Sequence, residues 1–114
     1  MKEKNVFLDY VGNSPFMRIL DFLITGREFD YTMTDISKKS GVGWTTFNRI
    51  FPKMIENDIV VQVRQVGMAK LYKINLNNPV VQKMVKLYQT ILAENLKSIE
   101  KKRLIKAKNQ YFYY

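Results

Sequence analysis

The chain has 114 residues, enough for one domain with one core, and its 46% hydrophobic content suits a globular protein. There is no cysteine and no histidine, which excludes disulfides, Cys/His metal centres, histidine-based catalytic triads and a histidine pH switch. The 19 Lys and Arg against 10 Asp and Glu leave a net charge of +9, which points to a polyanionic partner, either nucleic acid or an anionic membrane surface.

The charge sits in two blocks. Residues 34–75 carry seven basic and three acidic side chains, and residues 97–108 carry six and one. The N-terminal residues lack the apolar run of a secretion signal, and no stretch approaches the roughly 20 apolar residues of a membrane span. A cytoplasmic protein is expected.

The first apolar segment, Val6 to Val11, reads equally as a strand or a helical turn. Ser14-Pro15 is a helix start, and Phe16, Ile19, Leu20 and Leu23 recur at helical spacing as far as Ile24. A loop follows, in which Tyr31-Thr32-Met33 can pair with a later hairpin. Thr34 then caps a helix over Asp35 to Ser40, and Gly41 ends it. The next helix spans Trp44 to Asn57, with Phe47, Ile50, Phe51, Met54 and Ile55 inward. Trp44, Thr45, Asn48, Arg49, Pro52, Lys53 and Glu56 face outward. Pro52 should kink or shorten this helix, because it removes the bond to the Asn48 carbonyl.

Residues 59–76 form a hairpin with Gly67-Met68 as a two-residue type II′ turn. Counting back from that turn pairs Arg64 with Leu71, Gln62 with Lys73, Val63 with Tyr72 and Val61 with Ile74. The hairpin presents Arg64, Gln65, Lys70 and Lys73. Asn78-Pro79 starts a long helix to about Lys102, with an apolar stripe of Val81, Met84, Val85, Tyr88, Ile91, Leu92 and Ile99. About 20 helical residues span about 30 Å, longer than the earlier helices can cover, so a second copy is the simplest partner. The expected division is therefore residues 1–78 as the DNA-binding domain, 79–102 as a dimerisation helix and 103–114 as a basic and aromatic tail. The fold class is mainly α with a small β-hairpin wing, a winged helix-turn-helix.

Several stretches carry a family resemblance: Gly12-Asn13-Ser14-Pro15, Ile19 to Leu23, Asp30 to Ile36, Ser40 to Thr46, Gly67 to Asn75, and Asn78-Pro79-Val80-Val81. Across residues 6–95 the chain resembles archaeal winged helix-turn-helix transcriptional regulators related in fold to the MarR and ArsR groups. The resemblance implies a dimeric DNA-binding regulator whose recognition helix uses Trp44, Thr45, Thr46, Asn48, Arg49 and Lys53. Pro52 and the absence of a glycine at Asn57-Asp58 depart from the general pattern.

Arg49 suits bidentate contact with guanine and Asn48 with adenine, although each also fits a solvated helix face. Thr45 and Thr46 would bind phosphate, meet a thymine methyl, or cap the helix. Trp44 either packs on the DNA or covers the edge of the core. Lys38, Lys39 and Lys53 would hold phosphates. Arg64 and Lys70 would reach the minor groove or its phosphates, or protect an edge strand from aggregation. Val81, Met84, Val85, Tyr88, Ile91 and Leu92 form the expected dimer interface. The basic tail fits DNA, RNA, an acidic partner or plain solvation equally, and its terminal aromatics would associate with a membrane surface or, the favoured reading, dock on the dimer.

The ten carboxylates are scattered and no Gly-rich phosphate loop occurs, so no enzyme, cofactor or metal is expected. The reading that follows is a homodimeric, sequence-specific regulator of transcription, acting on double-stranded DNA as a repressor. The alternatives are a winged-helix protein-interaction module and a non-specific architectural DNA-binding protein.

Overall fold

The computed structural model describes residues 5–112, with side chains as far as residue 107. In order, the elements are α1 (Val6–Val11), α2 (Pro15–Thr25), α3 (Met33–Ser40), α4 (Trp44–Glu56), β1 (Val60–Val66), β2 (Ala69–Ile74) and α5 (Pro79–Phe112). This is a winged helix-turn-helix: α3 and α4 form the motif, and the antiparallel β1–β2 hairpin is the wing. The aromatic run Tyr111 to Tyr114 lies outside the residues whose side chains are described.

The ambiguous first segment is a helix. The Asn5 side-chain oxygen Oδ1 accepts the Leu8 N–H at 2.9 Å, and Phe7 is buried with its ring 5.2 Å from Tyr88. α2 starts as expected: the Ser14 hydroxyl accepts the Met17 N–H and Pro15 opens the helix. Its Ile19, Leu20, Leu23 and Ile24 are fully buried at the centre of the core.

α3 begins two residues earlier than expected. Thr32, not Thr34, is the cap, and its hydroxyl accepts the Asp35 N–H at 3.2 Å. The cause is long-range. Tyr31 exchanges two backbone hydrogen bonds of 2.8 Å with Tyr72, which holds the chain extended up to the cap. Only Tyr31 of the expected short strand pairs with the wing, and Met33 already belongs to the helix.

α3 and α4 end in the same way. The Val42 N–H bonds to Ser37 O and the Gly41 N–H to Lys38 O, with Gly41 left-handed at φ +70°. At the end of α4 the Ile59 N–H bonds to Met54 O and the Asp58 N–H to Ile55 O, with Asp58 at φ +56°. Both are Schellman caps. Asp58 takes the position where a glycine was missing, and the corner is braced from outside. The Asn75 and Asn78 amides both donate to Asp58 O at 3.0 Å, while Asn78 caps α5 through the Val80 N–H.

Pro52 does not shorten α4, which runs through it to Glu56. The Asn48 carbonyl that loses its donor belongs to an exposed residue, where water can replace it.

The turn half of the hairpin has the expected register, with Arg64 opposite Leu71 and Val66 opposite Ala69. Gly67 is at φ +60° while Met68 is not at positive φ, as a type II′ turn requires. Beyond Arg64 the expected pairing fails. A bulge at Val63 puts Gln62 opposite Tyr72, Val61 opposite Lys73 and Val60 opposite Ile74. The extra residue lets Val60, Tyr72 and Ile74 all enter the core, and Val63 is left exposed.

α5 has 34 residues and so a length of about 51 Å. It continues past Lys102, and residues 103–112 extend the helix rather than leaving it as a separate tail. Val81 and Ile91, expected in the dimer interface, are buried inside this chain, and Met84, Val85 and Tyr88 are partly buried against its core. Helical spacing cannot tell a contact with the chain's own body from one with a second copy. The exposed apolar side chains of α5 include Leu87, Leu92, Leu96, Ile99, Leu104 and Ile105.

The two caps make opposite predictions. Asp58→Gly removes left-handed strain and should raise stability by about 1 kcal/mol in urea unfolding. Gly41→Ala has room for its methyl group, with only the Arg18 guanidinium nearby at 3.7 Å, and should lose about 1–2 kcal/mol from conformation alone.

Candidate nucleic-acid interface

α4 has the two faces expected from its spacing. Phe47, Phe51 and Met54 are buried, with Ile50 and Ile55 partly so. Trp44, Thr45, Asn48, Arg49, Pro52, Lys53 and Glu56 are exposed, and Thr46 lies at the margin. Stacked rings fix this orientation. Trp44 lies 5.7 Å from Phe47 at 13°, Phe47 lies 4.7 Å from Phe51 at 21°, and Phe51 meets Tyr72 of β2 edge-on at 5.3 Å. Each such pair adds about 0.5–1.5 kcal/mol beyond its buried area. Trp44 is 52% exposed, so it rests on the core and still offers surface to a partner.

Gly43 is the N-cap of α4 and provides no side-chain bond, so Thr45 and Thr46 do not cap the helix. No side chain therefore caps the first N–H groups of α4, which lie at the positive end of the helix dipole. The Asn48 amide donates to Trp44 O at 3.0 Å. That leaves its carbonyl oxygen and second N–H for another partner. Arg49 and Lys53 flank a cleft of about 350 Å³ between α4 and Phe16 of α2. Among the described residues, neither they nor Lys38 or Lys70 have an acidic partner within 4 Å.

The two lysines of α3 part company. Lys38 shares a groove of about 570 Å³ with Trp44 and Gly43, on the side of α4. Lys39 lies over the Tyr31 ring at 5.8 Å, beside a different cleft. Successive helical residues are rotated by about 100°, which is why adjacent lysines do not share a face.

In the wing, Arg64 is not free. Its Nε donates to Asp30 Oδ2 at 2.6 Å and its Nη2 to Oδ1 at 3.1 Å, a bidentate pair joining β1 to the loop before α3. Lys70 is exposed opposite Gln65, whose amide folds back onto Gly67 O at 3.0 Å. Lys73, by contrast, is half-buried. Two supporting residues were not singled out from the sequence. Asp30 lies 34 positions from Arg64, and Arg18 of α2 donates to Gly41 O at 3.0 Å across 23 positions. Local spacing contains no signal for either.

No family model and no curated protein matches the chain. Solved structures do match. One is the homodimeric winged helix-turn-helix DNA-binding domain of a possible ArsR-family regulator from Mycobacterium bovis, 21% identical over 79% of this chain and 78% of that one, with a TM-score of 0.54. HlyU from Vibrio cholerae is 15% identical over 75% and 84%, at 0.55. A MarR family transcriptional regulator from Silicibacter pomeroyi is 16% identical over 81% and 68%, at 0.56. These likenesses establish the winged-helix fold. All three proteins are bacterial, so the archaeal part of the resemblance gains no support from them.

The Asp30–Arg64 pair has a pH signature. The hydrogen bond from Arg64 holds the Asp30 carboxyl below its ordinary value of 3.8. Its contribution to stability is complete above the unfolded value and is lost as pH falls through the lower folded one. In acid unfolding, Asp30→Asn should remove this part of the pH dependence and leave stability near neutrality little changed, because the pair is exposed. A carboxyl NMR titration with an ordinary midpoint would contradict the assignment.

Proposed function

We propose that the protein is a sequence-specific DNA-binding regulator of transcription that acts as a homodimer. The carrying observation is the outer face of α4, where Arg49, Lys53, Asn48, Thr45 and Trp44 are exposed together on a helix anchored from behind by buried rings. α4 enters the major groove. Arg49 and Asn48 read base edges, the Thr45 and Thr46 end meets a phosphate, and Lys38 and Lys53 hold the backbone. Lys70 and Arg64 of the wing lie on the flanking backbone or minor groove. Lys39 is given no contact, because it lies over Tyr31.

Dimerisation through α5 is part of this reading. Leu92, Leu96 and Ile99 extend the inward stripe of Met84, Val85 and Tyr88 along a helix that outruns its own body. Two copies of α4 would then reach successive major grooves, about 34 Å apart on a pseudo-palindromic site. Repression is the simplest outcome, since a dimer spanning two turns of a promoter excludes polymerase.

Selection of bound sites from random DNA, followed by affinity measurements across a salt series, tests the reading. Affinity should fall steeply with salt, with a slope of about −0.9 for each neutralised phosphate, while one site stays preferred. Arg49→Ala should cost about 1–3 kcal/mol at its own base pair and relax choice there. Lys70→Ala should weaken all sequences alike and reduce the salt slope by about one. Equal losses on every sequence for both variants would contradict these roles. In sedimentation, Leu96→Glu with Ile99→Glu should convert the dimer to a folded monomer.

A further inference from the structure

From Leu96 to Ala107 every side chain of α5 is exposed, and this stretch carries Lys97, Lys101, Lys102, Arg103 and Lys106 against the single carboxylate of Glu100. The charges are not spread evenly round the helix. Successive residues turn by about 100°, which sets Lys97 and Lys101 in one row and Lys102 and Lys106 in a second, about 140° further round. Ser98 and Ile105 lie between the rows. Glu100 is on the back of the helix, where it pairs with Arg103 at 3.8 Å. Lys97 meets Glu94 at 3.6 Å, an exposed and therefore weak pair. Among the described residues no carboxylate lies within 4 Å of Lys101, Lys102 or Lys106. The same rotation puts Leu92, Leu96 and Ile99 toward the back, so the lysine rows stay open in a dimer formed through that stripe.

Two rows of ammonium groups on a rod suit a partner with two walls of negative charge. A groove of duplex DNA has phosphates on both sides, and the major groove, about 12 Å wide, admits an α-helix. The rows hold lysine only. Lysine meets phosphate as a point charge, whereas Arg103, the residue suited to bidentate contact with a base edge, is turned to the back beside Glu100. Neither Ser98 nor Ile105 between the rows can make a bidentate base contact, so such binding carries no sequence preference. An anionic membrane fits less well. Leu104 and Ile105 do not share a side with Leu96 and Ile99, which leaves no single apolar face to sink into lipid.

We propose that the far half of α5 is a second DNA contact, lying in a groove of duplex DNA with its two lysine rows on the facing phosphate walls and without reading sequence. It is separate from the α4 face and does not rest on base reading there. α5 starts against the end of α4, where the Asn78 amide donates to Asn57 O at 3.3 Å, and Lys101 lies about 33 Å further along the helix. A chain with both contacts holds two duplex segments, or two stretches of one duplex, at once.

The test uses the full chain and a short duplex of random sequence, with affinity measured across a salt series. Lys101→Gln with Lys106→Gln takes one charge from each row, and glutamine matches lysine closely in helix propensity. This pair should weaken binding at low salt and make the salt slope shallower by about two. Lys83→Gln with Lys86→Gln removes the same charge from exposed positions on the near half of α5 and should leave the slope unchanged. Arg49→Ala with Lys53→Ala should lower the slope separately, and the two losses should add, which tells a failure at α5 from a failure at α4. In nitrogen-15 spectra of the unaltered chain, the duplex should shift the amides of residues 98–106. An unchanged slope in a folded Lys101→Gln, Lys106→Gln chain, an equal loss from the Lys83 and Lys86 pair, or unmoved amides at 98–106 would overturn the proposal. Tighter binding to phosphatidylserine vesicles or to polyglutamate than to the duplex, at equal charge concentration, would overturn it too.

Discussion

The burial of Phe47, Phe51 and Tyr72 is the constraint from which the candidate interface derives its shape. Aromatic side chains remove more apolar area from water than most others, about 150–250 Å² each. These three come from α4 and β2 and meet ring to ring. Because Phe47 and Phe51 are one turn apart, burying both settles the rotation of α4 about its axis. Arg49, Asn48 and Lys53 are exposed as a consequence. Tyr72 links the same stack to the wing, so α4 and the hairpin are registered against each other through the core rather than through a surface contact. Trp44 carries the stack out to the surface.

Much of this was legible in the residues. The two faces of α4, the Ser14-Pro15 start, the Gly41 corner and the Gly67-Met68 turn all depend on neighbours within a few positions. Short-range chemistry determines them: cap hydroxyls, fixed proline φ, left-handed glycine and helical period. What escaped depends on distant partners. The start of α3 follows from the Tyr31–Tyr72 bridge, and the bulge at Val63 follows from the demand of the core for Val60. Asp30–Arg64 and Arg18–Gly41 join segments tens of residues apart. The α5 stripe was read correctly as apolar, but periodicity could not divide it between the chain's own body and a second copy.

The wing combines firmness at its base with exposure at its tip. Val60 and Ile74 hold one end in the core, and Asp30 holds Arg64 by two hydrogen bonds halfway along. Toward the turn no residue is buried, and Met68 is 96% exposed. The bulge separates these regimes. It satisfies the buried register below and leaves the turn to follow its own geometry above. A wing phosphate contact through Arg64 would therefore share or displace an existing carboxylate partner, whereas Lys70 has no such competitor among the described residues.

The length of α5 has a mechanical consequence. About 24 residues beyond Tyr88 form a rod of about 36 Å, and swinging it by about 10° about Tyr88 carries the far end roughly 6 Å. In the proposed dimer, small changes in how Tyr88 seats on Phe7 and Thr25 would be amplified by this lever arm into the distance between the two reading heads. Packing at the foot of the rod would then govern which half-site separation the pair can span.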